Sequence, residues 1–127
     1  MDRDLIGSLV LAVAMLSLGA CAAASADTDD LQRCRSGEAE LAIVACTRFL
    51  GQKTGKSPAD LASAHRARGN AHVRLGQYAH SVEDFDRAIQ FDAHDFMSYR
   101  NRGVAYFAMR EHAKAAADIT HIARQSG

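Results

Sequence analysis

Tryptophan is absent from this 127-residue chain, proline occurs once, and aromatic residues make up 6% of it. The sequence also lacks the alternating apolar runs and Asn-Gly pairs that mark strands and hairpins. Basic and acidic residues number 15 each, so there is neither the basic surface that nucleic acid requires nor an acidic tail. The composition therefore predicts one all-α domain with no nucleic-acid partner.

Motifs of catalytic chemistry are also missing. The sequence has no Gly-rich phosphate loop, no nucleophile elbow, no Ser-His-Asp arrangement and no Cys-x-x-Cys. None of its six histidines are three or four apart, the spacing typical of metal-binding pairs on a helix. The acidic cluster of Glu83, Asp84 and Asp86 is interpreted as a solvated helix face that pairs with Arg87. We predict that the protein is not an enzyme and needs no metal or cofactor.

One long apolar run is present, LIGSLVLAVAMLSL from Leu5 to Leu18. Its length suits the core of a signal peptide and is short for a bilayer span. Ala24-Ser25-Ala26 follows and fits a cleavage site that would leave Asp27 as the new N-terminus. Residues 1–26 are therefore predicted to be a signal peptide, and the mature chain, 27–127, to be periplasmic or secreted.

Two alternatives remain for the same segment. LGAC, Leu18–Cys21, resembles a bacterial lipobox, in which the chain is cut before Cys21 and lipidated there. The mature protein would then be an envelope lipoprotein, which is the case in which we expect membrane attachment. The second alternative is an uncleaved N-terminal helix, because the leader MDRD carries little positive charge.

An internal repeat dominates the rest of the chain. RGNAHVRLGQY, Arg68–Tyr78, returns further along the chain as RGVAYFAMREH, Arg102–His112. Small and large apolar residues recur at matching positions beyond this stretch, such as Phe85 with Ile119. A period of about 34 residues with this pattern predicts two helices and a turn per unit. Since one hairpin cannot bury its own apolar face, about three units must stack to form a core.

These residues resemble the tetratricopeptide repeat (TPR) family. The signature in the central unit comprises Gly69, Ala71, Leu75, Gly76, Tyr78, Phe85 and Ala88. Two central positions depart from the pattern, since Ser81 stands where Ala is usual and Ala93 where Pro is usual. In the last unit, Arg110 replaces the turn Gly.

A degenerate first unit precedes the central one, because Gly37–Leu50 repeats the register of Gly76–Ile89. The resemblance thus implies a short right-handed α-solenoid of about three helical hairpins. We assign a degenerate hairpin to 27–51, the central repeat to 58–91 and the last repeat to 96–124.

The first hairpin places two cysteines on opposite helices, Cys34 before the turn at Gly37 and Cys46 after it. Hairpin geometry brings such positions close, and an oxidising compartment would favour a disulfide between them. The alternative is a pair of buried free thiols, expected if the chain is cytosolic.

In TPR proteins the first helix of each hairpin lines a concave groove that holds extended peptides. The resemblance maps this groove onto Arg66, Asn70, Arg74, Met97, Arg100, Asn101 and Phe107. Arg66, Asn70 and Asn101 match positions that TPR domains use to clamp acidic C-terminal peptides. A generic polar groove is the alternative.

The predicted function is a non-catalytic scaffold that binds an unknown protein or peptide in the periplasm. A lipid-anchored envelope assembly factor, held through Cys21, is the alternative, and a subunit of a larger enzyme is a third hypothesis. Ile119 and Ile122 are expected to leave an apolar patch on the last hairpin, where a second copy of the chain or another partner would bind. The alternative is that Ala115, Ala116 and Ala117 leave this face without such a patch.

Overall fold

A computed structural model describes residues 26–53 and 55–127, and all regular secondary structure in these residues is helical. The predicted signal segment, apart from its last residue, and Cys21 lie outside the described residues. The helices are α1 (26–36), α2 (Ala39–Gly51), α3 (Pro58–Arg74), α4 (Tyr78–Phe91), α5 (Phe96–Ala108) and α6 (His112–Ser126).

The helices stack in chain order. α3 packs against α4 and α5 against α6, each pair forming one hairpin. The hairpins are joined where α2 packs against α3 and α4 against α5, and α3 also contacts α5. The predicted class, an all-α solenoid of about three helical hairpins, is confirmed.

Local sequence signals set the start of α3. The Ser57 hydroxyl accepts a hydrogen bond from the backbone N–H of Asp60 at 3.1 Å, and Pro58 occupies the first turn. Both features are typical of helix N-termini, because a side-chain oxygen satisfies an unpaired N–H there and proline has none to satisfy. Asp95 caps α5 in the same way, accepting from the N–H of Ser98.

The turns within the last two hairpins have the same geometry. Gly76 adopts φ +70°, and Arg110, at the matching position of the next repeat, adopts φ +62°. In each turn the next N–H returns to the last part of the helix, from Gln77 to the carbonyl of His72 and from Glu111 to that of Tyr106, both at 2.8 Å. Arg110 therefore adopts a left-handed backbone conformation that costs an arginine more free energy than a glycine.

Close helix packing accounts for the glycine of the first Arg-Gly pair but not for that of the second. A Cβ on Gly69 would lie 2.8 Å from the ring of Phe85, which is fully buried between the helices. At the matching position in the last hairpin, a Cβ on Gly103 would meet nothing closer than 3.6 Å, with Ala115 and Asp118 as its neighbours. A Cβ at this repeat position would thus clash with the Phe85 ring in the central unit, whereas it would have ordinary van der Waals space in the last unit.

Gly69→Ala and Gly103→Ala are expected to change stability in opposite directions. Overpacking against the Phe85 ring costs about 1–3 kcal/mol, more than the roughly 1 kcal/mol that alanine gains over glycine in a helix. Gly103→Ala gains that propensity without a clash. Urea denaturation of both variants measures the difference, and equal effects would show that the Phe85 ring can move aside.

The first hairpin has its own small core around two sulfur atoms. Cys34 and Cys46, predicted to be close, lie at disulfide distance, with Sγ atoms 2.01 Å apart and Cα atoms 4.6 Å apart. Both are buried, and they pack with Ala45, Phe49 and Ala64. Since Ala64 belongs to α3, the sulfur atoms also lie where the first hairpin meets the second.

Candidate functional site

Two adjoining clefts follow the first helices of the hairpins. The larger, of about 300 Å³, lies between the end of α1 and α3, and the smaller, of about 190 Å³, between α3 and α5. Asn70 and Arg74 line both. We call the two together the groove; the rest of its lining is Cys34, Arg35, Ser36, Gly37, Ser63, Arg66, Ala67, Val73, Asn101 and Val104.

The larger cleft is positively charged. Three arginines line it, Arg35, Arg66 and Arg74, and no carboxylate does. The Arg66 guanidinium is already used, because it donates to the buried carboxylate of Asp95 at 2.8 Å. Arg74 donates to the carbonyl of Gly37 at 3.2 Å, and Arg35 makes no ion pair within the described ranges. Much of the positive charge is therefore not neutralised by neighbouring acids.

An amide bridge joins the second and third hairpins at the floor of the groove. Nδ2 of Asn101 donates to Oδ1 of Asn70 at 2.7 Å. This bond leaves the Asn70 amide nitrogen to donate to a ligand, as side-chain amides carry two donors on nitrogen. Arg100 is exposed and donates to Oδ1 of Asn101 at 3.4 Å.

The groove residues predicted from the sequence divide into two groups. Arg66, Asn70, Arg74 and Asn101 line the clefts. The others, Met97, Arg100 and Phe107, are exposed on α5 but line neither cleft. The sequence reasoning missed the contribution of Arg35, Ser36 and Gly37. The cysteine pairing was the available signal, because a disulfide between Cys34 and Cys46 fixes the turn that follows Cys34.

Asp84 is not part of a solvated face, so that interpretation is wrong. Its side chain is 5% exposed and accepts three hydrogen bonds from Arg68, at 2.8, 2.9 and 3.1 Å. Nδ1 of His65 lies 3.0 Å from the same carboxylate, and Nε2 of His72 lies 3.7 Å away. Arg87, its predicted partner, donates instead to Gln90. The carboxylate faces inward because the α3–α4 crossing turns it toward Arg68.

The same pairing recurs one repeat later and also links neighbouring hairpins. Arg102 donates to Asp118 of its own hairpin at 2.9 Å and to Asp86 of the preceding hairpin at 2.7 Å. Arg68 likewise reaches back to Thr47 at 3.1 Å. Buried or half-buried arginines therefore tie each hairpin to the one before it.

Charge pairing shifts the titration of this network. Burial by itself raises the pKa of Asp84, but hydrogen bonds from His65 and Arg68 and the Arg68 charge outweigh it. The pKa of Asp84 consequently lies below its ordinary value of 3.8. Hydrogen bonding to Asp118 raises the pKa of Arg102 above its ordinary value, despite partial burial. Both groups are thus held in their charged forms.

A cleft of about 560 Å³ lies beside Asp84, lined by His65, Arg68, His72, His80, Glu83, Asp84, Asp86, Arg87 and Gln90. Three of its bases, His65, Arg68 and His72, lie against the carboxylate of Asp84. Within residues 26–53 and 55–127, no three His, Cys, Asp or Glu side chains are arranged to hold a metal ion. No helix of this same part of the chain is long and apolar enough to cross a membrane.

Comparison with known proteins agrees with this architecture. Residues 69–109 match the family model described as TPR repeat. No curated protein sequence gives a significant match. Among solved structures, the second TPR domain of Spaghetti (RPAP3), bound to the HSP90 peptide SRMEEVD, is similar with a TM-score of 0.62. The two are 22% identical, and the match covers 77% of this chain and 86% of that chain.

Stacked helical hairpins with a groove along their first helices define a helical-repeat protein. The matched repeat at 69–109 and the shared fold identify it more closely. Residues 69–109 match the TPR repeat, and the described part of the chain has a fold similar to that of a TPR domain.

Proposed function

We propose that the chain is a non-catalytic scaffold that binds an extended peptide or protein segment in its groove, in the bacterial periplasm. The observation that carries the proposal is the larger cleft, where three arginines and no carboxylate surround an open surface. Such a surface suits acidic side chains or a chain terminus, since guanidinium groups bind carboxylates strongly. The peptide bound by the similar TPR domain of Spaghetti is acidic, which supports the same mode of binding.

The clamp hypothesis for Arg66, Asn70 and Asn101 needs refinement. Asn70 and Asn101 lie together and offer amide donors, as that hypothesis requires. Arg66 is bonded to Asp95, and Asp95 also accepts from the Ser98 hydroxyl at 2.8 Å. We therefore propose Arg35 and Arg74, rather than Arg66, as the main carboxylate-binding residues.

Site-specific photo-crosslinking in bacterial cells tests the groove. A benzoylphenylalanine at Val104, exposed and lining the groove, is expected to form covalent adducts with partner protein. The same probe at Val44, which is equally exposed but lies on α2 outside the groove, is the matched control. Arg74→Gln in the same chain is expected to reduce the Val104 adducts several-fold. Equal adducts at both positions, unaffected by Arg74→Gln, would argue against the groove.

Location is proposed from the signal-like leader and is supported by the Cys34–Cys46 disulfide, since such bonds persist in oxidising compartments. The intact mass of the protein from envelope fractions, alkylated with and without reductant, tests this. We expect a chain that begins at Asp27, with two thiols blocked until reduction. An unprocessed chain with three alkylatable thiols would contradict export and the disulfide together.

The same measurement distinguishes the lipid-anchored alternative, which the LGAC motif favours. A mass that begins at Cys21 and carries acyl chains would make the protein an envelope lipoprotein and leave the groove proposal intact. A homodimer through the last hairpin stays a prediction: Ile119 is 63% exposed, and Ile122 is partly buried.

A further inference from the structure

A cleft outside the groove lies between α1 and α2 of the first hairpin, with a volume of about 430 Å³. Two large apolar side chains form part of its wall, Leu41, which is 65% exposed, and Val44, which is 55% exposed. The other lining residues are Asp30, Arg33, Gly37, Ala45 and Arg48. Because Leu41 and Val44 are three residues apart, they share one face of α2 and leave an apolar strip along it.

The fold does not require apolar side chains at these two positions. In the register that relates the hairpins, the same positions are exposed in the later units and hold mostly polar residues. They are His80 and Glu83 on α4, and Lys114 and Ala117 on α6. Leu41 and Val44 are therefore not needed for the stacking of the hairpins, and a contiguous exposed apolar surface is typical of an interaction site.

Charges of opposite sign lie on either side of this strip. Glu40 precedes Val44 by four residues and Arg48 follows it by four, so all three lie on one face of α2. Both charged side chains are exposed, and Glu40 has no ion pair within residues 26–53 and 55–127. Arg48 donates to Asp30 at 3.3 Å, which leaves most of its five N–H donors for another acceptor. This face is thus acidic, apolar and basic in turn.

We propose that two copies of the chain pair through this face of α2, with the two helices antiparallel and the two Val44 side chains at the centre. In that arrangement Arg48 of each copy lies opposite Glu40 of the other, because both residues are four positions from Val44. The exposed Leu41 and Val44 side chains supply most of the affinity as they leave water. The two ion pairs fix the direction of pairing, and the twofold symmetry closes the assembly as a dimer.

Pairing through α2 leaves the groove accessible. Gly37 is the one residue that lines both this cleft and the groove, so Arg35 and Arg74 lie outside the paired face. The dimer therefore carries two grooves, and a partner with two binding segments would bind it roughly 100-fold or more tightly than a single groove. The pairing itself does not rest on the proposed peptide-binding function.

Sedimentation velocity of the chain purified from envelope fractions tests the pairing. The average mass is expected to rise from one chain to two between about 1 µM and about 500 µM, since a small interface gives weak affinity. The double variant Leu41→Ser, Val44→Ser should stay monomeric. Ile119→Ser, which removes an exposed apolar side chain from the last hairpin, is the matched control and should dimerise like the wild type. A monomeric wild type, or a dimer that Ile119→Ser abolishes and the double variant keeps, would overturn the inference.

Charge reversal tests the antiparallel arrangement. Glu40→Arg and Arg48→Glu each place like charges opposite one another at both ends, so each variant is expected to dimerise roughly tenfold more weakly. In an equimolar mixture of the two variants, the mixed dimer regains both ion pairs and should form about as readily as the wild-type dimer. Circular dichroism checks that each variant is folded. A mixture that dimerises no better than the single variants would exclude this arrangement.

The benzoylphenylalanine probe at Val44 gives an independent result. On the purified chain it is expected to form a covalent product with the mass of two chains, which differs from any Val104 adduct with another protein. Absence of the two-chain product would argue against the pairing and leave the groove proposal standing. Loss of the Val104 adducts alone would count against the groove and leave the dimer in place.

Discussion

Asp84→Ala is expected to lower the free energy of unfolding by about 3 kcal/mol or more. Removing one partner of a buried ion pair typically costs about 3–5 kcal/mol, because the remaining charge stays desolvated without compensation. Here Arg68 would lose all three of its hydrogen bonds to Asp84, and its side chain is only 22% exposed. His65 would lose its partner in the same step. Urea denaturation followed by circular dichroism measures the loss.

Asp86→Ala is the matched control for this change. Asp86 lies two residues away on the same helix, and its side chain is 45% exposed. Its partner Arg102 keeps the bonds to Asp118, so a loss of about 1 kcal/mol or less is expected. Equal losses in the two variants would show that burial of the Arg68–Asp84 pair contributes nothing special.

The Asp84 pair also predicts an acid response. Its folded-state pKa lies below 3.8, so its contribution to stability is fully present above the unfolded-state pKa. That contribution is lost as the pH falls below about 4 and through the folded-state pKa. Wild-type chain should therefore lose stability more steeply between pH 4 and pH 2 than Asp84→Ala. Parallel curves for the two would contradict the depressed pKa.

Reduction of the Cys34–Cys46 disulfide is expected to destabilise the protein by about 3 kcal/mol. The bond closes a loop across a sequence separation of 12, and a loop of this size restricts the unfolded chain by about that amount. For a domain of about 100 residues, this corresponds to a melting temperature roughly 10–20 °C lower. Thermal unfolding with and without a phosphine reductant gives the difference.

The double variant Cys34→Ala, Cys46→Ala provides the control. It should melt near the temperature of the reduced wild-type chain, and the reductant should no longer affect it. If the reductant does not change the melting temperature of the wild-type chain, the bond does not stabilise the fold.

Loss of the disulfide is also expected to loosen the turn at Arg35–Gly37, which forms one wall of the groove. Peptide affinity should therefore fall with stability.

The repeat itself was readable from the sequence. The regular recurrence of Arg-Gly predicted the hairpins, because a period of about 34 residues is typical of two helices and a turn per unit. Ser57 and Pro58 set the start of α3 for reasons that involve only neighbouring residues. The proximity of Cys34 and Cys46 followed once the first hairpin was placed. All of these depend on the spacing of residues along the chain, which can be read directly from a sequence.

The tertiary structure decided which partner each charged side chain bonds to. Arg66 and Arg74 look equivalent on one helix, yet Arg66 bonds to Asp95 and Arg74 stays in the groove. Asp84 looked solvent-facing beside Arg87, but the α3–α4 crossing turned it toward Arg68. These outcomes depend on how far each helix is rotated about its axis and on where its neighbour begins. The sequence by itself determined the period, the hairpins and the helix starts, while the packing angles between helices determined which side chains meet.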